Sequence, residues 1–122
     1  MIRVCVGALA DQTTEAVLRP VRSDLEPVTV GSRDVGLRAG AEVAARLGAL
    51  GALPVGGAVV TPAGNLTASF LIHVVVSAED EPETSLTARR ALCNGLRRAA
   101  DLGIASVSVP PLAMGVGHLE AE

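Results

Sequence analysis

At 122 residues the chain has the length of one domain, enough to bury roughly two-thirds of the surface its unfolded form exposes. Hydrophobic residues make up 49% of it, which excludes a disordered chain, and no apolar run reaches the about eighteen residues of a membrane span. A net charge of −3 and a single aromatic, Phe70, exclude neither a fold nor a small ligand but weigh against a nucleic-acid partner.

The first expected element is a strand over Ile2–Val6, weakly alternating and rich in β-branched side chains. It is too short for a signal peptide, and Asp11 and Glu15 soon follow, so a cytoplasmic protein is expected. A second, short strand runs over Glu15–Leu18 and stops near Pro20. Ser23–Arg33 reads as irregular, punctuated by Pro27 and Gly31. One helix is expected from about Asp34 to Leu50, with Val35, Ala39, Val43, Leu47 and Leu50 on its apolar face. Gly36, Gly40 and Gly48 weaken it, and Gly51 can stop it.

Gly56-Gly57 opens a third strand, Ala58–Thr61. A connection follows, then the continuous apolar run Phe70–Val76, which suits a central strand covered on both faces. The acidic stretch Glu79–Glu83 reads as a surface loop. A helix is expected over Ser85–Leu102, with Thr84 or Ser85 as N-cap and Gly103 as its stop. Its expected buried stripe is Leu92, Leu96, Ala99 and Leu102, while Arg89, Arg90, Arg97 and Arg98 form a solvated face. The last strand is Ser106–Val109, ended by Pro110-Pro111. This order predicts an α/β fold, with a mixed central sheet between helices in three α/β/α layers over one domain, 1–122. Cys5 and Cys93 show no metal-type spacing and read as free thiols. No metal and no cofactor are expected.

Four motifs in the second half carry a resemblance. Gly56–Leu66 resembles the macro domain signature in which a G-x-A strand leads into "T-x-G-x-N-L". Phe70–Val75 is similar to that family's "Y-V-I-H-x-V" strand, and Ala105–Leu112 to its "S-I-A-F-P-x-I". Gly115-Val116-Gly117 falls where the family carries an "S-T-G-V-x-G" loop. Order, spacing and element type all agree from about Gly56 to Gly117. The resemblance implies a macro-domain-like module and ADP-ribose, or a related phosphate-containing small molecule, as ligand.

Several family positions differ here. The "G-D-I" whose aspartate meets adenine reads Gly7-Ala8-Leu9. The "N-A-A-N" whose asparagines face the distal ribose reads Arg19-Pro20-Val21-Arg22. The "G-G-G-V" loop reads Val30-Gly31-Ser32-Arg33-Asp34-Val35, which offers one glycine for close backbone approach. Met114 replaces a small hydroxylated residue. The family's final helix, strand and helix do not appear before Glu122, so three arrangements stay open. The sequence is incomplete, the neighbouring strands pair directly, or another copy fills the gap in a homo-oligomer.

Expected ligand-binding residues are therefore Gly115, Val116 and Gly117, whose backbone amides can cradle a phosphate, with Arg19 and Arg22. For the two arginines an Arg22–Asp24 surface pair is an equal reading. His73 reads as a hydrogen-bonded core histidine, Asn65 as a turn residue and His118 as a surface loop residue. Hydrolysis of ADP-ribosyl groups is not expected, because Asp24 or Asp34 would have to act without the family's asparagines. No catalytic residue is assigned. The two leading readings are a binding module with an eroded pocket and a structural or oligomerisation module.

Overall fold

The structure is a computed structural model that describes residues 6–112. Ile2–Cys5 of the expected first strand, the Ala113–His118 loop and the expected Gly115–Gly117 site lie outside the described residues.

The sheet is built around two parallel central strands, β1 (Ala16–Arg22) and β2 (Phe70–Ser77). Their register runs from Ala16 opposite Phe70 to Val21 opposite Val75. Ala16 to Val21 and Leu71 to Val76 are all buried, as strands covered on both faces require. A further strand, Ala58–Pro62, lies antiparallel on the outer edge of β2, and Val107–Ser108 lies parallel on the other side of β1. The sheet is therefore mixed.

The second strand does not stop near Pro20 as expected. It continues to Arg22 because the ring meets no ladder conflict. Val107–Ser108 pairs only with Ala16 and Val17, and the Pro20 carbonyl is taken by the Ser32 hydroxyl at 2.7 Å.

The expected helix Asp34–Leu50 is two helices, α1 (Val30–Ala39) and α2 (Ala41–Leu50). Gly40 separates them at φ 104°, where glycine is at ease and a helix cannot pass. α1 also begins four residues earlier than expected, because Thr29 caps it by accepting from the Ser32 N–H. Val35, Ala39 and Val43 are buried with Val17 and Leu71, Leu47 is half-buried and Leu50 is exposed.

On the opposite face lies α3 (Ser85–Asp101), with Thr84 and Thr87 forming a reciprocal capping box. Its buried stripe is not the leucines but Ala88, Ala91, Gly95 and Ala99; Leu96 and Leu102 are exposed and Leu92 half-buried. The helix rides too close to the sheet for larger groups. A Cβ on Gly95 would stand 2.6 Å from Val74 Cγ1 and 3.2 Å from both Ile72 and Leu18. The three layers are thus α1 and α2, the sheet, and α3, with aliphatic cores on both sides. Leu18, Leu71 and Ile72 are fully buried, and each such side chain contributes about 1.5–3 kcal/mol. No helix of the described residues is long and apolar enough to cross a membrane.

Candidate functional site

β1 ends at a tight turn. Leu25 N–H donates to the Arg22 carbonyl, the Arg22 N–H donates to the Glu26 carbonyl, and Asp24 accepts from the Glu26 N–H. Leu25 itself has φ 70°, a conformation non-glycine residues rarely adopt. The chain then runs through Pro27 to the Thr29 cap. Between this segment and the helices α1 and α2 lies a cleft of about 1100 Å³. It sits beyond the carboxyl end of a parallel strand, where open α/β sheets place their ligands.

Arg19 lines that cleft and is only 3% exposed. Its Nε donates to Ser32 Oγ at 3.0 Å, and that hydroxyl donates in turn to the Pro20 carbonyl. This is the one hydrogen bond that the Arg19 side chain makes among the described residues, so Nη1 and Nη2 have no protein acceptor there. No carboxylate of the described residues comes within ion-pair distance of it. Gly36 lets α1 pass over the guanidinium, since a Cβ there would stand 3.1 Å from both Nη atoms. Burial pushes the Arg19 pKa down to about 10, partly offset by the charge of Glu26. The group remains cationic at neutral pH, desolvated and short of partners.

Ser32 holds both ends of this arrangement. Ser32→Ala would leave the buried Arg19 Nε–H and the Pro20 carbonyl unpaired together. A loss of about 2 kcal/mol in urea unfolding is expected, and an unchanged midpoint would refute that role.

The structure separates the two expected arginines. Arg19 faces inward beneath α1, whereas Arg22, beyond a register shift after Val21, is exposed. His73 lies beside Arg19 in the β1–β2 register and is fully buried. Its Nε2 meets Thr61 Oγ1 at 2.9 Å, and Nδ1 has no hydrogen-bond partner among the described residues. Burial first, and the Arg19 charge second, push its pKa down to about 3, so the ring is neutral at physiological pH.

Asn65 donates its backbone N–H to the Ala39 carbonyl and its side chain lies against Gly40, pinning the loop to the α1–α2 joint. Gly64 stands one place later than the glycine of the family pattern, directly before Asn65. Near Gly7-Ala8-Leu9 the chain does carry a carboxylate, Asp11, but Arg38 engages it and also pairs with Asp34 at 3.6 Å. Sequence reasoning missed Ser32 and this Asp11–Arg38–Asp34 link. The i, i+4 spacing of Asp34 and Arg38 was the one available signal. Among the described residues no three His, Cys, Asp or Glu side chains converge as a metal site would require.

Comparison with known proteins agrees with this architecture. The family model described as Macro domain matches residues 34–122. An uncharacterized protein of Aeropyrum pernix is 36% identical over 121 residues, covering 98% of this chain and 64% of that protein. One of Sulfurisphaera tokodaii is 26% identical, covering 95% of this chain and 65% of that protein. The chain thus spans just under two-thirds of the length of these relatives. Among solved structures, the macrodomain of Mycobacterium tuberculosis DarG superimposes with a TM-score of 0.80 at 23% identity, covering 98% of this chain and 82% of that one. An Oceanobacillus iheyensis macrodomain with ADP gives 0.79 at 19% identity, over 93% and 65%. The matched sequence, the mixed sheet and the enclosing helices agree: this chain belongs to the macro domain family.

Proposed function

We propose that this chain is a ligand-binding module that takes a phosphate-containing small molecule, of the ADP-ribose type its family binds, at the carboxyl end of β1. The observation that carries this reading is Arg19, a cation only 3% exposed that lines a cleft, with two nitrogens that have no acceptor among the described residues. A desolvated guanidinium that forms no ion pair among the described residues is costly, and an anionic ligand supplies a contacting charge with bidentate hydrogen bonds. In this reading Arg19 replaces the first family asparagine as the polar contact. Arg22 is exposed and not among the residues that line the cleft, so it adds only longer-range charge, and Gly115, Val116 and Gly117 contribute backbone amides.

ADP-ribose itself is expected to bind weakly. The adenine carboxylate and both ribose-facing amides of the family pattern are replaced, and three such hydrogen bonds amount to roughly two decades of affinity. Calorimetric titration with ADP-ribose and with inorganic phosphate tests the reading. Micromolar or weaker affinity for ADP-ribose is expected, falling with added salt. Arg19→Met, which keeps the aliphatic stem, should abolish binding while the fold stays at least as stable. A sub-micromolar ADP-ribose constant, or full binding by R19M, would show the site to be misassigned.

A second reading, a structural or self-associating module, draws support from the exposed leucines Leu86 and Leu96 of α3 and Leu102 at its C-cap, at 53%, 41% and 60%. Sedimentation across a concentration series distinguishes it: a concentration-dependent dimer that binds no anion favours this alternative.

A further inference from the structure

We infer that the cleft beside Arg19 selects an organic anion with an aliphatic body, gripping the charge at Arg19 and the body along α1 and α2. This deepens the anion-binding reading above and rests on it.

Two of the most exposed aliphatic side chains in the described residues, Val30 at 87% and Leu37 at 72%, belong to this cleft. They are seven residues apart on α1, two turns along one face. Val43 and Leu47 of α2 and Leu25 of the turn also line the cleft. The floor therefore carries a buried cation while its walls are largely aliphatic. The carboxylates of Asp24 and Glu26 also line it, but both residues are exposed and solvent screens them, whereas Arg19 is desolvated. Arg33 adds a second, exposed cation to the lining.

The chain's single aromatic residue, Phe70, is not among these walls. No aromatic ring in the lining can stack on a nucleobase, which leaves only the arginine guanidiniums to planar rings, whereas a flexible alkyl group gains area against valine and leucine. The combination fits an alkyl phosphate or an aliphatic carboxylate, whose shared chemistry is one compact anion on a saturated chain.

The test compares inorganic phosphate, hexyl phosphate, hexanoate and hexanol by titration calorimetry against the full chain. Each methylene fully buried is worth about fourfold in affinity. Hexyl phosphate is expected to bind at least about tenfold more tightly than inorganic phosphate. Leu37→Asn, a substitution at an exposed position, should cut that ratio by about threefold or more. Arg19→Met should remove binding of all three anions, and hexanol should bind too weakly to measure. Hexanoate matching hexyl phosphate would extend the class to carboxylates and support the inference. If phosphate binds with Arg19 dependence but hexyl phosphate gains nothing over it, the aliphatic specificity is overturned while the anion site stands. If neither phosphate nor hexyl phosphate binds, both readings fail together. Hexanol binding as tightly as hexyl phosphate, undiminished in R19M, would overturn the role of charge.

Discussion

Gly64→Ala is expected to cost about 3 kcal/mol or more of stability, although it adds a single methyl group. Gly64 sits at φ 60°, and a Cβ there would stand 2.2 Å from the Ala39 carbonyl oxygen and 3.0 Å from Val43 Cγ2. The first of these is backbone and cannot rotate away. That same carbonyl accepts the Asn65 N–H at 3.0 Å, so moving it breaks the bond that docks the loop on the α1–α2 joint. The unfavourable φ contributes about 1 kcal/mol, the overpacking about 1–3, and the lost hydrogen bond about 1. Gly103→Ala is the control. Gly103 has φ 72° but nothing within 4 Å of its Cβ position, so it carries the cost of positive φ without the close contacts. Urea unfolding of both variants measures the difference. Equal losses would mean that the loop does not press on the helix joint as described.

The same joint explains where the sequence was readable and where it was not. The continuous run Phe70–Val76 announced a strand covered on both faces, because nothing but burial tolerates that composition. The α3 helix was legible from its threonine cap and its glycine stop. Its orientation was not: leucines scored as the buried stripe, yet the sheet admits only Ala88, Ala91, Gly95 and Ala99 at its closest approach. That distance is a property of packing and is absent from periodicity. Gly40 was visible as a weak point in a helix, but it became a break because a loop downstream in the sequence seats Asn65 against it. Pro20 misled for a related reason, since its carbonyl partner, Ser32, lies on another element.

For the site, the family pattern placed Arg19 and Arg22 at two asparagine positions. What alternation along an isolated strand could not give was which face meets α1, and hence that Arg19 would be buried and Arg22 exposed. The partner that fixes the guanidinium, Ser32, read only as part of an altered glycine loop. In the fold it is the first turn of a helix, and its hydroxyl joins that helix to Arg19 and Pro20 of β1.

Acid is expected to destabilise this protein already above the usual carboxylate range, and His73 is the cause. In the unfolded chain the imidazole takes up a proton near its ordinary pKa of 6.5; in the fold, burial and the neighbouring Arg19 charge hold it off until about 3. Between those values the unfolded state binds more protons than the folded one. Stability contributed by the neutral ring is therefore complete above about pH 6.5 and declines as pH falls toward 3. One proton corresponds to a limiting slope of about 1.4 kcal/mol per pH unit. The window from about 6.5 to 5 lies above the usual carboxylate range, so a fall of roughly 1–2 kcal/mol there is assigned to histidine. Urea midpoints at several pH values across that window supply the measurement. His73→Gln keeps an amide nitrogen near the Thr61 hydroxyl but has no titrating group. It should start less stable at neutral pH and lose little further on acidification. A wild-type profile flat over this window, or a His73→Gln profile as steep as wild type, would remove His73 from the explanation. Arg19→Met should keep most of the slope, because burial is the larger cause and the arginine charge the smaller.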